Sequence, residues 1–126
     1  MNRPRVLVAE DEPVLLALLQ ELFEDWGCEV HAFDSADAAC TFMQEQQPQL
    51  DLLFTDVRMP GLLSGLDLAL QARRRQAGLP IVVTSGYYDE QPAGAVQAVF
   101  LPKPWDLRTL MERCPVPVGQ PRAERV

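Results

Sequence analysis

The sequence is poor in several residue types on which whole classes of function depend. Of its 126 residues one is histidine and three are cysteine, and Cys28, Cys40 and Cys114 stand far apart with no Cys-x-x-Cys pair. That spacing indicates neither a zinc framework nor a disulfide scaffold. Cys28 and Cys40 read as small core residues, and a reducing, cytoplasmic setting is the expectation. No apolar run approaches the roughly 20 residues that a membrane-spanning helix requires. The opening MNRPRVLVAEDEP runs into acids too early for a secretory signal. Positive charge is also scarce: 11 Lys and Arg against 18 Asp and Glu leave a formal charge of −7. Such a balance argues against a grip on nucleic acid, which needs a basic face, and leaves room for a cation. The single lysine is Lys103.

What is present suits one globular domain, with 48% hydrophobic and 23% charged residues. Residues 5–9, RVLVA, read as a buried strand that ends on Glu10, Asp11 and Glu12. Pro13 fits the first turn of a helix whose Leu15, Leu18, Leu19, Leu22 and Trp26 recur at helical spacing until Gly27. Residues 28–33 alternate as a strand near a sheet edge does, with His31 a surface residue at its end. Asp34 or Ser35 caps a helix with Ala36, Ala39, Cys40 and Met43 on one face.

The stretch LDLLFTDVRMPG at 50–61 is the pivot of the chain, because an apolar strand there delivers Asp56 to a loop containing Pro60 and Gly61. Ser64 and Asp67 have capping-box spacing for a helix carrying Leu66, Ala69 and Leu70, and Arg73, Arg74 and Arg75 form its solvated last turn. Residues 81–85 are a fourth strand. The segment 87–97 contains Pro92 and Gly94 and predicts a short or irregular fourth helix. A fifth strand at 98–101 leads into PKPW, and a last helix at about 105–114 places Leu107, Leu110, Met111 and Cys114 on one face. Residues 115–126, with three prolines and a glycine, read as a flexible tail, so the expected layout is a domain over 1–114 and no output domain. Strands alternating with helices predict an α/β fold: a doubly wound, five-stranded parallel sheet.

In such a fold ligands bind at the carboxyl ends of the strands. Those ends offer Glu10 and Asp11, then Asp56, then Thr84 or Ser85, then Lys103. Converging carboxylates repel unless a cation joins them, and an all-oxygen set suits Mg2+. A carboxylate is also a nucleophile toward phosphorus, while a lysine and a hydroxyl can hold the phosphoryl oxygens.

The four motifs VLVAEDEP, LLFTDVRMPG, IVVTSGY and FLPKPW, in that order, resemble the receiver domain of two-component response regulators, the CheY-like family with a (βα)5 flavodoxin-like fold. The resemblance runs from about Arg5 to Cys114. It implies that Asp56 is the phosphoacceptor, that Glu10 and Asp11 hold Mg2+ with Asp56 and the Arg58 backbone carbonyl, and that Lys103 contacts the phosphoryl group. It implies a switch hydroxyl at Ser85, five positions after Pro80, with Thr84 as runner-up, and an aromatic switch at Phe100. A cis peptide before Pro104 is implied too. The partner it implies is a histidine kinase or histidine phosphotransfer protein, with the domain acting as a signalling switch or phosphorelay intermediate and pairing with a second copy on activation. The chain departs from the family pattern where Glu10 replaces the commoner Asp, where the loop before Gly65 is one residue longer, and where Phe100 lacks a hydroxyl. The initiating Met and the tail point to a stand-alone regulator.

Two other readings stand beside this one. A receiver-shaped docking module would work without phosphorylation. A Mg2+-dependent phosphohydrolase would use an aspartyl phosphate, although Arg58 stands where haloacid-dehalogenase-type phosphatases place a second aspartate. The expectation is therefore a non-enzyme.

Overall fold

The apolar runs at 5–9, 52–56 and 81–85 are extended backbone, and amphipathic helices pack onto them, in a computed structural model that describes residues 3–86 and 96–115. The elements are β1 (Arg5–Ala9), α1 (Pro13–Asp25), β2 (Glu29–Phe33), α2 (Ala36–Gln46), β3 (Leu52–Asp56), α3 (Gly65–Arg75), β4 (Ile81–Ser85), β5 (Val99–Pro102) and α4 (Leu107–Arg113). All strand pairs are parallel and the sheet order is β2-β1-β3-β4-β5. The chain thus reverses its direction of travel across the sheet between β1 and β3, and a crevice opens there at the strand ends.

The interior strands are buried on both faces, which is why β3 and β4 read as continuous apolar runs rather than alternating ones. β2 lies at the edge, as expected, but all five of its residues are half-buried rather than alternately buried and exposed. Successive side chains go to opposite faces. Leu7, Leu53, Ile81 and Val83 pack under α2 and α3 with Ala39, Met43, Leu68 and Ala72. On the other face Val6, Val8, Phe54, Val82 and Leu101 pack under α1 and α4 with Leu19, Phe23 and Leu110. Burying one such large side chain contributes about 1.5–3 kcal/mol, so these two layers hold the strand ends in place.

The helix starts are local chemistry. Pro13 opens α1. Of the two candidate caps for α2, Ser35 takes the role, its Oγ accepting the Ala38 N–H at 3.0 Å. Ser64 and Asp67 form the capping box of α3: Ser64 Oγ accepts the Asp67 N–H at 3.2 Å, and Asp67 Oδ2 accepts the Ser64 N–H at 2.8 Å.

Several expected faces are corrected. Leu18 of α1 and Leu70 of α3 are exposed, and α3 buries Leu68 and Ala72 instead. In α4 only Leu110 of the seven residues is buried, with Cys114 just beyond; Leu107 and Met111 are 47% and 56% exposed. His31 is half-buried and stacks on Phe42 at 4.7 Å.

The arginines ending α3 are not uniformly solvated. Arg73 donates to the carbonyls of Ala77 (2.9 Å), Leu79, Val96 (3.0 Å) and Gln97 (3.0 Å), tying the turn before β4 to the approach to β5. The expected fourth helix within 87–97 falls largely outside the described residues, and so does the tail from residue 116. Among the described residues no helix is long and apolar enough to cross a membrane.

Candidate metal and phosphoryl site

β1 ends at Ala9, so the next residue, Glu10, stands in the crevice, and the Glu10 N–H is fixed on the Phe33 carbonyl at 3.0 Å. Asp56 closes β3 beside it. Across β3 and β4, Asp56 registers with Thr84, and across β4 and β5, Ser85 registers with Pro102, so the chain arrives at Lys103 in the same plane of the sheet. The Lys103 N–H bonds the Ser85 carbonyl at 2.8 Å, and the Lys103–Pro104 peptide is cis, as the resemblance implies. Strand order has gathered residues separated by as many as 93 positions in the chain.

Lys103 Nζ donates to Asp56 Oδ2 at 2.9 Å and to Glu10 Oε1 at 3.1 Å. The second oxygen of Asp56 accepts the Val57 N–H at 2.7 Å, and the second oxygen of Glu10 accepts the Glu12 N–H at 3.1 Å. Both carboxylates are buried, while Asp11 is exposed. Carboxylate oxygens of Glu10, Asp11 and Asp56 all lie within 4.8 Å of one another.

Burial pushes the Glu10 carboxyl above its ordinary range, and the Asp56 charge adds to this; the Glu12 N–H and the Lys103 ammonium pull the other way without cancelling it. For Lys103 burial opposes the charge, but the bonds to Asp56 and Glu10 outweigh it and hold the ammonium above its usual pKa. Lys103 is therefore a permanent cation at neutral pH.

Three carboxylates against one ammonium leave two negative charges in excess. A hard divalent cation with oxygen ligands fits this donor set, with Glu10, Asp11 and Asp56 able to hold it. Nitrogen or sulfur ligands for a softer metal are not part of the cluster.

The two candidate hydroxyls separate cleanly. Thr84 is buried, and its Oγ1 accepts the Trp105 indole N–H at 3.2 Å on the α1 and α4 side, where Trp105 also packs edge-on against Phe54. Ser85, 2% exposed, belongs by strand alternation to the opposite face, with Val83. Phe100 pairs with Val83 in register and is half-buried against the α2 and α3 layer. The side chain of Arg58 is exposed.

Sequence reading missed two residues of this region. Gly65 lies so close to Asp56 that a Cβ on it would overlap the Asp56 carbonyl oxygen. Asp37, on which the sequence reading is silent, accepts the N–H groups of Leu62 (3.0 Å) and Leu63 (2.8 Å) in the loop after Asp56. The paired Gly61 and Gly65 flanking this loop are the one sequence signal of close approach.

Known proteins are similar to this chain in sequence and in fold. The response regulator receiver domain family matches residues 6–114. The sensor protein GacS of Pseudomonas syringae pv. syringae is 39% identical over 88 residues, which are 67% of this chain and 10% of that much longer protein. A response regulator receiver protein from Pseudomonas putida superposes with a TM-score of 0.74 at 33% identity, covering 89% of this chain and 95% of its own. The response regulator TrrA from Thermotoga maritima, in complex with Mg2+ and BeF, superposes with a TM-score of 0.72 at 26% identity, covering 86% and 94%. A crevice built on the β1–β3 reversal, with a lysine bridging two buried acids, and a family match over nearly the whole chain lead to one assignment: the chain belongs to the response regulator receiver domains of two-component systems, with the CheY-like fold.

Proposed function

We propose that this domain takes a phosphoryl group onto Asp56 in a Mg2+-dependent reaction and acts in the cytoplasm as a signalling switch or phosphorelay intermediate. The observation that carries the reading is the placement of Lys103 Nζ between Asp56 and Glu10, with Asp11 completing a cluster of hard oxygens. The donor would be a phosphohistidine on a histidine kinase or phosphotransfer protein, a partner class supported in general by the similarity to GacS.

An Asp56 carboxylate oxygen attacks phosphorus, the P–O bond forms, and the P–N bond to the imidazole breaks. The electron pair leaves with the imidazole nitrogen, which takes a proton from its surroundings. The step needs no general base, because protein contacts to a transferred phosphoryl group act mainly through position and charge. Glu10, Asp11, Asp56 and the Arg58 carbonyl would hold Mg2+, which would supply charge neutralisation for the phosphoryl oxygens. Lys103 neutralises a further oxygen as a point charge. Ser85 donates its hydroxyl to the remaining one, and Phe100, on the neighbouring strand, repacks as Ser85 moves, which transmits the change.

Intact mass after incubation with acetyl phosphate and Mg2+ tests this. A phosphoryl adduct in the wild type that is lost in Asp56→Asn and in EDTA is the expected result. A folded wild type with no adduct would overturn the reading in favour of a docking module, and steady release of phosphate from a generic phosphomonoester would favour a phosphohydrolase.

A further inference from the structure

The loop between Asp56 and α3 is fixed at its base and at its far side by different parts of the chain. At the base, the Val57 N–H reaches the Thr84 carbonyl at 3.0 Å, and the Gly65 N–H closes on the Val57 carbonyl at 2.8 Å. On the far side the anchor comes from another helix: the Asp37 carboxylate, in the first turn of α2, receives the Leu62 N–H on Oδ2 and the Leu63 N–H on Oδ1. Gly61 makes room for it. Its φ of +116° is open to glycine, and a Cβ there would overlap the carboxylate. Met59 and Leu63 pack into the α2 and α3 layer, while Leu62 is 94% exposed, so packing does not fix the tip of this loop.

Arg58 lies on the span between these two anchors. Met59 packs within this span, and the bonds to Asp37 are the polar anchor at its far end, so the rotation of the intervening peptides, Arg58 included, depends on both ends being held. We infer that Asp37 is a positioning residue for the cation: through Leu62 and Leu63 it fixes the Val57–Leu63 span, and with it the Arg58 carbonyl, and so sets Mg2+ affinity without touching the ion. This rests on the function proposed above, in which the Arg58 carbonyl is a ligand.

The test is isothermal titration of the full, unphosphorylated chain with MgCl2, run beside thermal unfolding. Asp37→Ala is expected to weaken Mg2+ binding about tenfold, the order found for residues that orient metal ligands. Asp37→Asn keeps one acceptor oxygen and is expected to lie between, and it decides the matter if the alanine variant does not fold. Ser35→Ala removes the cap of the same helix start and is expected to lower the melting temperature while leaving Mg2+ affinity within about twofold, as a merely structural change should. Wild-type affinity in a folded Asp37→Ala, or an equal loss in Ser35→Ala, overturns the inference while leaving the Asp56 reading intact. Absence of Mg2+ binding by the wild type overturns both.

Discussion

Gly65 is backed directly onto Asp56: a side chain on the first residue of α3 would enter the space of the Asp56 carbonyl oxygen and crowd the Thr55 hydroxyl at 2.8 Å. The contact joins the start of a helix to the end of the strand that carries the proposed nucleophile. Gly65→Ala is therefore expected to lower stability by about 2–3 kcal/mol, the cost of overpacking a closed interior, and to slow phosphoryl uptake by displacing Asp56. Gly78→Ala is the control, since nothing lies within 4 Å of a Cβ there. It should be neutral or slightly stabilising through the unfolded chain. Urea unfolding of both variants checks the contrast.

Arg73 supplies a second contrast. Its guanidinium bridges carbonyls from Ala77, Leu79, Val96 and Gln97, and a planar fork with five donors can do this where an ammonium cannot. Arg73→Ala should cost about 2 kcal/mol in equilibrium unfolding, and Arg73→Lys should recover less than half of it. Arg74, exposed on the same turn, should tolerate alanine within about 0.5 kcal/mol.

How far the sequence foretold these features follows from the range of the interactions. Strand ends, the caps at Ser35 and Ser64, and the acids at Glu10, Asp11 and Asp56 are set by residues adjacent in the chain or by a strand-by-strand pattern. Arg73 and Asp37 find their partners at up to 24 and 26 positions along the chain, and both bond to backbone groups, which carry no residue signature. Leu107 and Met111 are exposed, against the expected face, for another reason. A seven-residue helix has too few turns for periodicity to say which of its apolar positions face inward, and packing against the sheet selects Leu110 alone.

The thiols offer a pH prediction. Burial, with help from the Asp37 and Asp67 charges, pushes Cys40 up to about 11; burial, with Cys28 beside it, pushes Cys114 up to about 12. A raised thiol pKa favours the protonated folded state. The associated stability is thus fully present below about pH 9 and is lost as pH rises through 11 to 12. Alkylation of Cys40 and Cys114 by iodoacetamide at pH 8 should be on the order of a hundredfold or more slower in the folded chain than in urea, from thiolate fraction alone. Mass spectrometry of timed samples reads this directly; labelling of Cys40 at the unfolded rate would contradict the burial.

In the proposed reaction Lys103 would separate metal binding from phosphoryl chemistry, because its charge would act on them with opposite sign. In the metal-free protein it offsets the repulsion between Asp56 and Glu10, and the two carboxylates hold it in place. Replacing it by methionine, similar in length and uncharged, raises the excess negative charge of the crevice. Lys103→Met should therefore melt lower than wild type without Mg2+, yet gain more than wild type when Mg2+ is added. Wild type should gain about 2.7 kcal/mol at a free Mg2+ concentration a hundred times its dissociation constant. Glu10→Gln and Asp11→Asn, which each replace a carboxylate by a neutral amide with a single oxygen, should lose most of that gain. Phosphoryl uptake from acetyl phosphate should nevertheless fall in Lys103→Met, since the variant binds the ion but lacks the point charge for a phosphoryl oxygen. Thermal melts with and without MgCl2, paired with adduct formation by intact mass, distinguish these cases. Uptake that rose together with Mg2+ affinity would show that Lys103 merely blocks the cation and has no part in holding the phosphoryl group.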